Sequence, residues 1–244
     1  MNSLTLTRLE KAAADCGFEL SPALVGDGMV CRSAQFPEFV TVQPMGNDTF
    51  AFHASVPILL PVGQGSEGGV IVYGWNALYQ ALDKAAAIAR TMPNRVAQKF
   101  HLATAMMPKS TEAERWVVQR IGQNLFRSAL LDYWQGHCCV TGLSIPELLR
   151  ASHIKPWACC DSDEERLDVF NGLLLAPHLD ALFDGGWITF TSTGTISIAE
   201  SLPSVALELL GVSSDSRVQG LKPEHSLYLE FHRQRVFRGN GASL

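Results

Sequence analysis

A chain of 244 residues with 47% hydrophobic content is long enough for two modest domains with real cores. No run of about eighteen apolar residues marks a membrane span, and Met1 to Glu10 lacks a basic start and an apolar signal core, so a cytoplasmic protein is expected. The formal charge of −5 excludes a broadly basic nucleic-acid binder, and with 12 basic against 16 acidic residues from Lys109 onward any contact with a polyanion must come from a local patch.

In chain order, Met1 to Cys16 carries one helical stripe through Leu4, Leu9 and Ala13. From Gly17 to Leu60 the pattern changes to short strand-like runs at Val30-Cys31, Phe39 to Val42 and Thr49 to Phe52, separated by Gly, Pro and Asn-Asp turn signals. Gly63 to Gly69 is expected to be a flexible loop, Val70 to Tyr73 a strand, and Asn76 to Thr91 an alanine-rich helix. Residues 1–94 therefore predict a small α+β domain, 95–110 a connector, and 111–244 a second domain.

The second domain opens on a capping box, Thr111 with Glu114 three residues later. Its first helix carries an apolar stripe through Trp116, Val117, Ile121, Leu125, Ala129 and Leu130. Arg115, Arg120 and Arg127 punctuate that stripe, and Arg150 and Lys155 follow. These side chains could track phosphates, or pair with Glu112, Glu114 and Asp132 as a solvated face.

The most specific pattern comes next. Ser152-His153-Ile154-Lys155-Pro156-Trp157 precedes Asn171-Gly172-Leu173-Leu174-Leu175 and then Pro177-His178-Leu179-Asp180-Ala181-Leu182-Phe183-Asp184. Cutting a phosphodiester needs a base to activate water and a cation to neutralise phosphate and leaving oxygen. A histidine at a strand end supplies the base, an asparagine braces the loop, and a ligand on the next helix faces the same cleft. His153 ends one apolar stretch, Asn171 precedes strand-like Gly172 to Ala176, and Pro177 opens a helix.

This ordered series resembles the HNH endonuclease family, in its bacterial branch of restriction endonucleases with a ββα-metal hairpin. The resemblance spans roughly Thr111 to Phe237. It also takes in Arg120-Ile121-Gly122-Gln123 with Phe126-Arg127, Trp134, Cys139 to Gly142, Pro146 to Ala151, and Pro223-Glu224-His225 with Tyr228, His232-Arg233 and Val236-Phe237. The fold class it implies is α+β, with a C-terminal ββα-metal nuclease domain and flanking helices behind the N-terminal α+β domain.

By position the resemblance makes His153 the general base, Asn171 the middle asparagine and Asp180 a metal ligand where many members have histidine. His178, two residues earlier, would point about 200° from Asp180 on an ideal helix, but would face the same ion if Pro177 to Asp180 were an extended entry. Ser152 stands where many members place a charged ligand, so the ion is held by Asp180 with a partner such as His178 or Asp184, or depends on DNA phosphate. Hard oxygen donors favour Mg²⁺, with Mn²⁺ tolerated. The six cysteines, Cys16, Cys31, Cys138-Cys139 and Cys159-Cys160, form no pair of Cys-x-x-Cys knuckles, so no structural zinc is expected.

The tail after Leu210 reads as a loop and then a short helix over Glu224 to Val236, whose His225 and His232 pack or contact DNA backbone. The function implied is a metal-dependent DNA endonuclease of restriction or phage-defence type, giving 5′-phosphate and 3′-hydroxyl products from DNA expected to be double-stranded. Arg120, Arg127, Arg150 and Lys155 are its expected DNA contacts. The N-terminal domain would then be a target-recognition or sensor module, or a packing or dimerisation domain, with a homodimer left open. The alternative is a non-catalytic DNA-binding or sensor protein that keeps the fold.

Overall fold

The structure, a computed structural model, describes residues 2–61, 65–66, 69–92, 94–108 and 110–239. It divides into two compact units, Met1–Thr91 and Met92–Leu244. No described helix is long and apolar enough to cross a membrane.

The first unit begins with α1 (Ser3–Asp15), capped by the Asn2 side chain, which accepts the Thr5 N–H at 2.7 Å. Leu9, Ala12 and Ala13 are its buried residues, while Leu4 of the expected stripe is 71% exposed. Six antiparallel strands follow: β1 (Leu20–Val25), β2 (Gly28–Arg32), β3 (Val40–Gly46), β4 (Thr49–Ala54), β5 (Gly65–Ser66) and β6 (Gly69–Tyr73), ordered β1-β2-β3-β4-β6-β5. Alternation puts Met29, Cys31, Val40, Val42, Phe50, Phe52 and Val72 on the buried face. The β3–β4 turn needs left-handed backbone, supplied by Asn47 at φ 50° and Asp48 at φ 51°. α2 (Trp75–Thr91) buries Leu78, Leu82, Ile88 and five alanines.

The loop expected over Gly63 to Gly69 contains β5, which pairs with β6 through Gly65 to Val70 and Ser66 to Gly69. Residues 62–64 and 67–68 lie outside the described residues.

The second unit starts with α3 (Arg95–Thr104), a helix in the stretch read as connector, which buries Val96, Ala97 and Phe100 and packs on α4 (Glu112–Tyr133). The capping box of α4 is formed: the Glu114 N–H donates to Thr111 Oγ1 at 3.2 Å and the Thr111 N–H to Glu114 Oε2 at 2.9 Å. Its expected stripe is corrected, because Trp116 and Val117 are 57% and 49% exposed and the buried residues are Gly122, Phe126, Ala129, Leu130 and Tyr133.

Two short antiparallel ribbons follow. The first pairs β7 (Arg150–His153) with β8 (Gly172–Leu175), with α5 (Asp163–Arg166) inside their connection and α6 (Pro177–Asp184) after β8. The second pairs β9 (Ile188–Phe190) with β10 (Ile196–Ile198), which the sequence reading did not separate from loop. α7 (Ser204–Leu210) and α8 (Ser226–Arg235) complete the unit, and α8 packs on β9.

Candidate active site

The site is built on a close approach between α4 and the first ribbon. Gly122, Phe126 and Leu130 recur every four residues, so they share one face of α4. A Cβ at Gly122 would lie 2.8 Å from the Trp157 ring, and one at Gly172 would lie 2.7 Å from both Leu130 and Phe126. The two glycines therefore let helix and ribbon approach until Phe126 reaches the last residue of β7.

That residue is His153. Its ring stacks on Phe126 with centroids 3.8 Å apart and planes 15° from parallel, and Trp157 meets it edge-on at 5.5 Å. The Arg166 carbonyl lies 2.8 Å from Nε2. A carbonyl only accepts, so Nε2 carries the proton and Nδ1 holds the lone pair. Burial is the larger influence on the ring and drives its pKa down to about 4, against the Arg166 carbonyl, which favours the protonated form. His153 is thus a neutral imidazole at neutral pH, with a fixed tautomer and orientation.

The connection between the strands is held from within by Asn171, which is fully buried. Its Oδ1 accepts the Lys155 N–H at 2.7 Å, and its Nδ2 donates to the carbonyls of Lys155 and Glu165, both at 3.2 Å, and approaches Cys160 Sγ at 3.4 Å. Arg166 laces the same loop, donating to the carbonyls of Trp157 and Cys160 at 3.3 and 2.5 Å while its own carbonyl orients His153. The sequence reading missed Arg166, because its contribution to the imidazole is a backbone atom with no residue-type signal.

On the other side of β7 the Ser152 side chain, 2% exposed, faces α6. Its hydroxyl donates to Asp184 Oδ1 at 3.2 Å and also interacts with Asp180. Partial burial raises the pKa of Asp180 against the Ser152 hydroxyl and the nearby Arg150 guanidinium. Partial burial and then the Asp180 charge raise that of Asp184, again against Ser152. α6 is helical from Pro177, and the Asp180 N–H donates to the Ala176 carbonyl at 3.0 Å. The extended entry that would have aimed His178 and Asp180 at one ion is therefore absent. On this regular helix they lie about 200° apart, whereas Asp180 and Asp184, four residues apart, share a face.

Asp184, His153, Ala151, Pro156, Trp157 and His232 line one cleft of about 360 Å³. Among the described residues no three His, Cys, Asp or Glu side chains converge as a ready-made metal cage. The donors available beside the base are carboxylate and hydroxyl oxygens, a set that suits a hard divalent cation completing its shell with water and phosphate.

The basic residues divide. Arg120 and Arg150 are exposed. The Arg127 guanidinium donates at 2.7 Å to the carbonyls of both Leu149 and Pro146 and so ties α4 to the approach to β7. Lys155 is similarly committed, with Nζ 2.8 Å from Glu165 and 3.2 Å from Asp161 and its side chain only 13% exposed. His225 and His232 are buried at 0% and 1% exposure. All six cysteines are free thiols, and Cys138 Sγ accepts the N–H groups of Thr141 and Ala176 at 3.4 and 3.3 Å.

Residues 138–191, which span both strands of the ribbon, its connection and α6, match the family described as HNH endonuclease. The match is confined to this segment, and it supports a likeness to HNH endonucleases there. HNH proteins are nucleases that act on DNA and generally use a divalent metal. No curated protein matches the chain. Within the HNH segment the structure brings together His153 and the loop held by Asn171 on one side of β7, and Ser152, Asp180 and Asp184 on the other.

Proposed function

We propose that this chain is a metal-dependent DNA endonuclease of restriction or phage-defence type, with His153 as general base. The observation that carries the reading is the state of His153: neutral, stacked on Phe126, and held through Nε2 so that the lone pair resides on Nδ1. Such a ring can take a proton from water without first losing one of its own. Asn171 fixes the loop whose Arg166 carbonyl holds the ring, so it acts as a positioning residue. Asp180 supplies a carboxylate for Mg²⁺ or Mn²⁺, which when bound would neutralise the scissile phosphate and its leaving oxygen. Exposed Arg150 on β7 and Arg120 on α4 offer charge to the backbone of duplex DNA. The first unit is assigned target recognition or sensing.

The test is incubation of supercoiled plasmid, with and without base modification, with Mg²⁺ or Mn²⁺. Nicking or linearisation by the wild type and not by His153→Ala supports the reading; no cutting of any substrate in either ion overturns it. A second reading, DNA binding without catalysis, is favoured by the lack of a three-residue metal cage among the described residues. It predicts a duplex-binding protein that takes up no Mn²⁺.

A further inference from the structure

We infer that the end of α8 and the residues behind it form a phosphate clamp, in which Arg235 and the Trp187-stacked Arg238 hold the DNA backbone at the mouth of the His153 cleft. The inference rests on the endonuclease reading and deepens it, because it names DNA-contacting residues beside that same site.

Placement is the first observation. Val236 lines the cleft of about 360 Å³ together with His153 and Asp184, and Arg235 and Arg238 flank Val236 in the chain. The segment is held there from several sides. His232 stacks on Phe183 of α6 with centroids 3.8 Å apart and planes 4° from parallel. The Arg238 N–H donates to the Gly186 carbonyl at 2.9 Å. Gly186 has φ 70°, and a Cβ there would collide with the Val236 carbonyl, so the close approach of the tail to the turn after α6 requires glycine.

The state of the cations is the second. Several basic side chains near the site are committed within the protein: Arg127 and Arg166 to loop carbonyls, Lys155 to Glu165 and Asp161, and Arg233 to Glu230 and to the Phe190 carbonyl at 2.9 Å. Arg235 and Arg238 are exposed, and among the described residues neither pairs with a carboxylate. With 12 basic against 16 acidic residues from Lys109 onward, a polyanion can be held only where such uncommitted cations gather.

The third observation is the platform under Arg238. Its guanidinium carbon lies 4.0 Å from the centroid of the Trp187 ring. Stacking engages the face of the planar cation and leaves the N–H groups at its edge to donate to two oxygens of one phosphate. The indole also restricts a long side chain before DNA arrives, so less conformational freedom is lost on binding. A backbone held by Arg235 and Arg238 runs beside Val236, which borders the cleft where His153 would meet water.

The experiment measures binding of the full chain to two fluorescent duplexes of equal length and unrelated sequence, without divalent ions, over a series of salt concentrations. Arg238→Gln and Arg235→Gln should each lower the slope of log affinity against log salt by about 0.9, and the double variant by about 1.8, equally on both duplexes. Trp187→Leu keeps both charges, so it should weaken binding with the slope unchanged. Wild-type slopes in both arginine variants overturn the clamp and leave the endonuclease reading standing. A loss confined to one duplex overturns the phosphate assignment in favour of base reading. Wild-type affinity in Trp187→Leu overturns the role of the ring. Wild-type protein that binds neither duplex overturns the clamp and the DNA endonuclease reading together.

Discussion

Two histidines border the same cleft, and they are nearly alike in surroundings. His153 stacks on Phe126 and His232 on Phe183, each with ring centroids 3.8 Å apart. Each has Nε2 near a backbone carbonyl, Arg166 at 2.8 Å and Phe183 at 3.1 Å, and burial lowers each pKa to about 4. They differ at the other nitrogen. His232 Nδ1 is taken by the Thr189 hydroxyl at 2.9 Å, and the residue, on α8, is 1% exposed against the second ribbon. Among the described residues His153 has no such partner at Nδ1, and it stands at the end of the first ribbon, lining the cleft together with Asp184. A stacked, neutral imidazole is thus a packing element in one place and a candidate base in the other, and one hydroxyl separates the two.

The sharpest way to break this comparison is to delete each ring. His153→Ala should lower the cleavage rate by roughly 10²- to 10⁴-fold, as expected for loss of a general base, with duplex affinity little changed in a gel-shift assay. His232→Ala should instead cost about 2–4 kcal/mol of stability in urea unfolding, through lost packing and two lost hydrogen bonds, while the folded fraction keeps cutting. If both variants lose catalysis equally at equal folded concentration, the distinction drawn at Nδ1 is wrong.

Asn171→Ala tests whether orientation of His153 depends on its loop. Removing the fully buried amide leaves the part-buried Lys155 N–H without its acceptor, so a loss on the order of 3 kcal/mol is expected. Activity should fall with it, and the effect should be visible in the ring signals of His153 but not in those of His232.

The two rings also give a common pH signature. Histidine in an unfolded chain titrates near about 6.5, whereas burial holds both native rings near 4. As pH falls, the unfolded state takes up protons first. Stability present above about 6.5 is therefore lost progressively towards pH 4. Urea midpoints measured between pH 7.5 and 4.5 should fall across that window, and ring titration by NMR should show both histidines still neutral at pH 5.5. A His153 midpoint near 6.5 would contradict its burial.

The smallest expected effect separates the arginines. Arg150→Ala should reduce the salt dependence of duplex binding by about one unit of slope, the contribution of a single phosphate contact. Arg127→Ala should leave that slope unchanged and cost about 1–3 kcal/mol of stability, because its guanidinium serves the carbonyls of Pro146 and Leu149.

The amino-acid sequence by itself determined the local features. The Thr111–Glu114 cap, the left-handed Asn47-Asp48 turn, the helix start at Pro177, and the order of His153, Asn171 and Asp180 along the chain depend on neighbouring residues and on backbone preferences. The tertiary structure alone decided which polar side chains are free to act. Arg127 and Lys155 look like phosphate ligands in a string of residues, but the fold places these two cations beside carbonyls and carboxylates that they hydrogen-bond. Trp116 and Val117 continue an apolar period yet lie exposed, because α4 turns its Gly122, Phe126 and Leu130 face to the ribbon. Ser152 and Asp184 are 32 residues apart and meet only because β7 packs against α6. Contacts across that separation carry no local sequence signal, since their geometry is fixed by how helix and ribbon pack and not by the residues on either side.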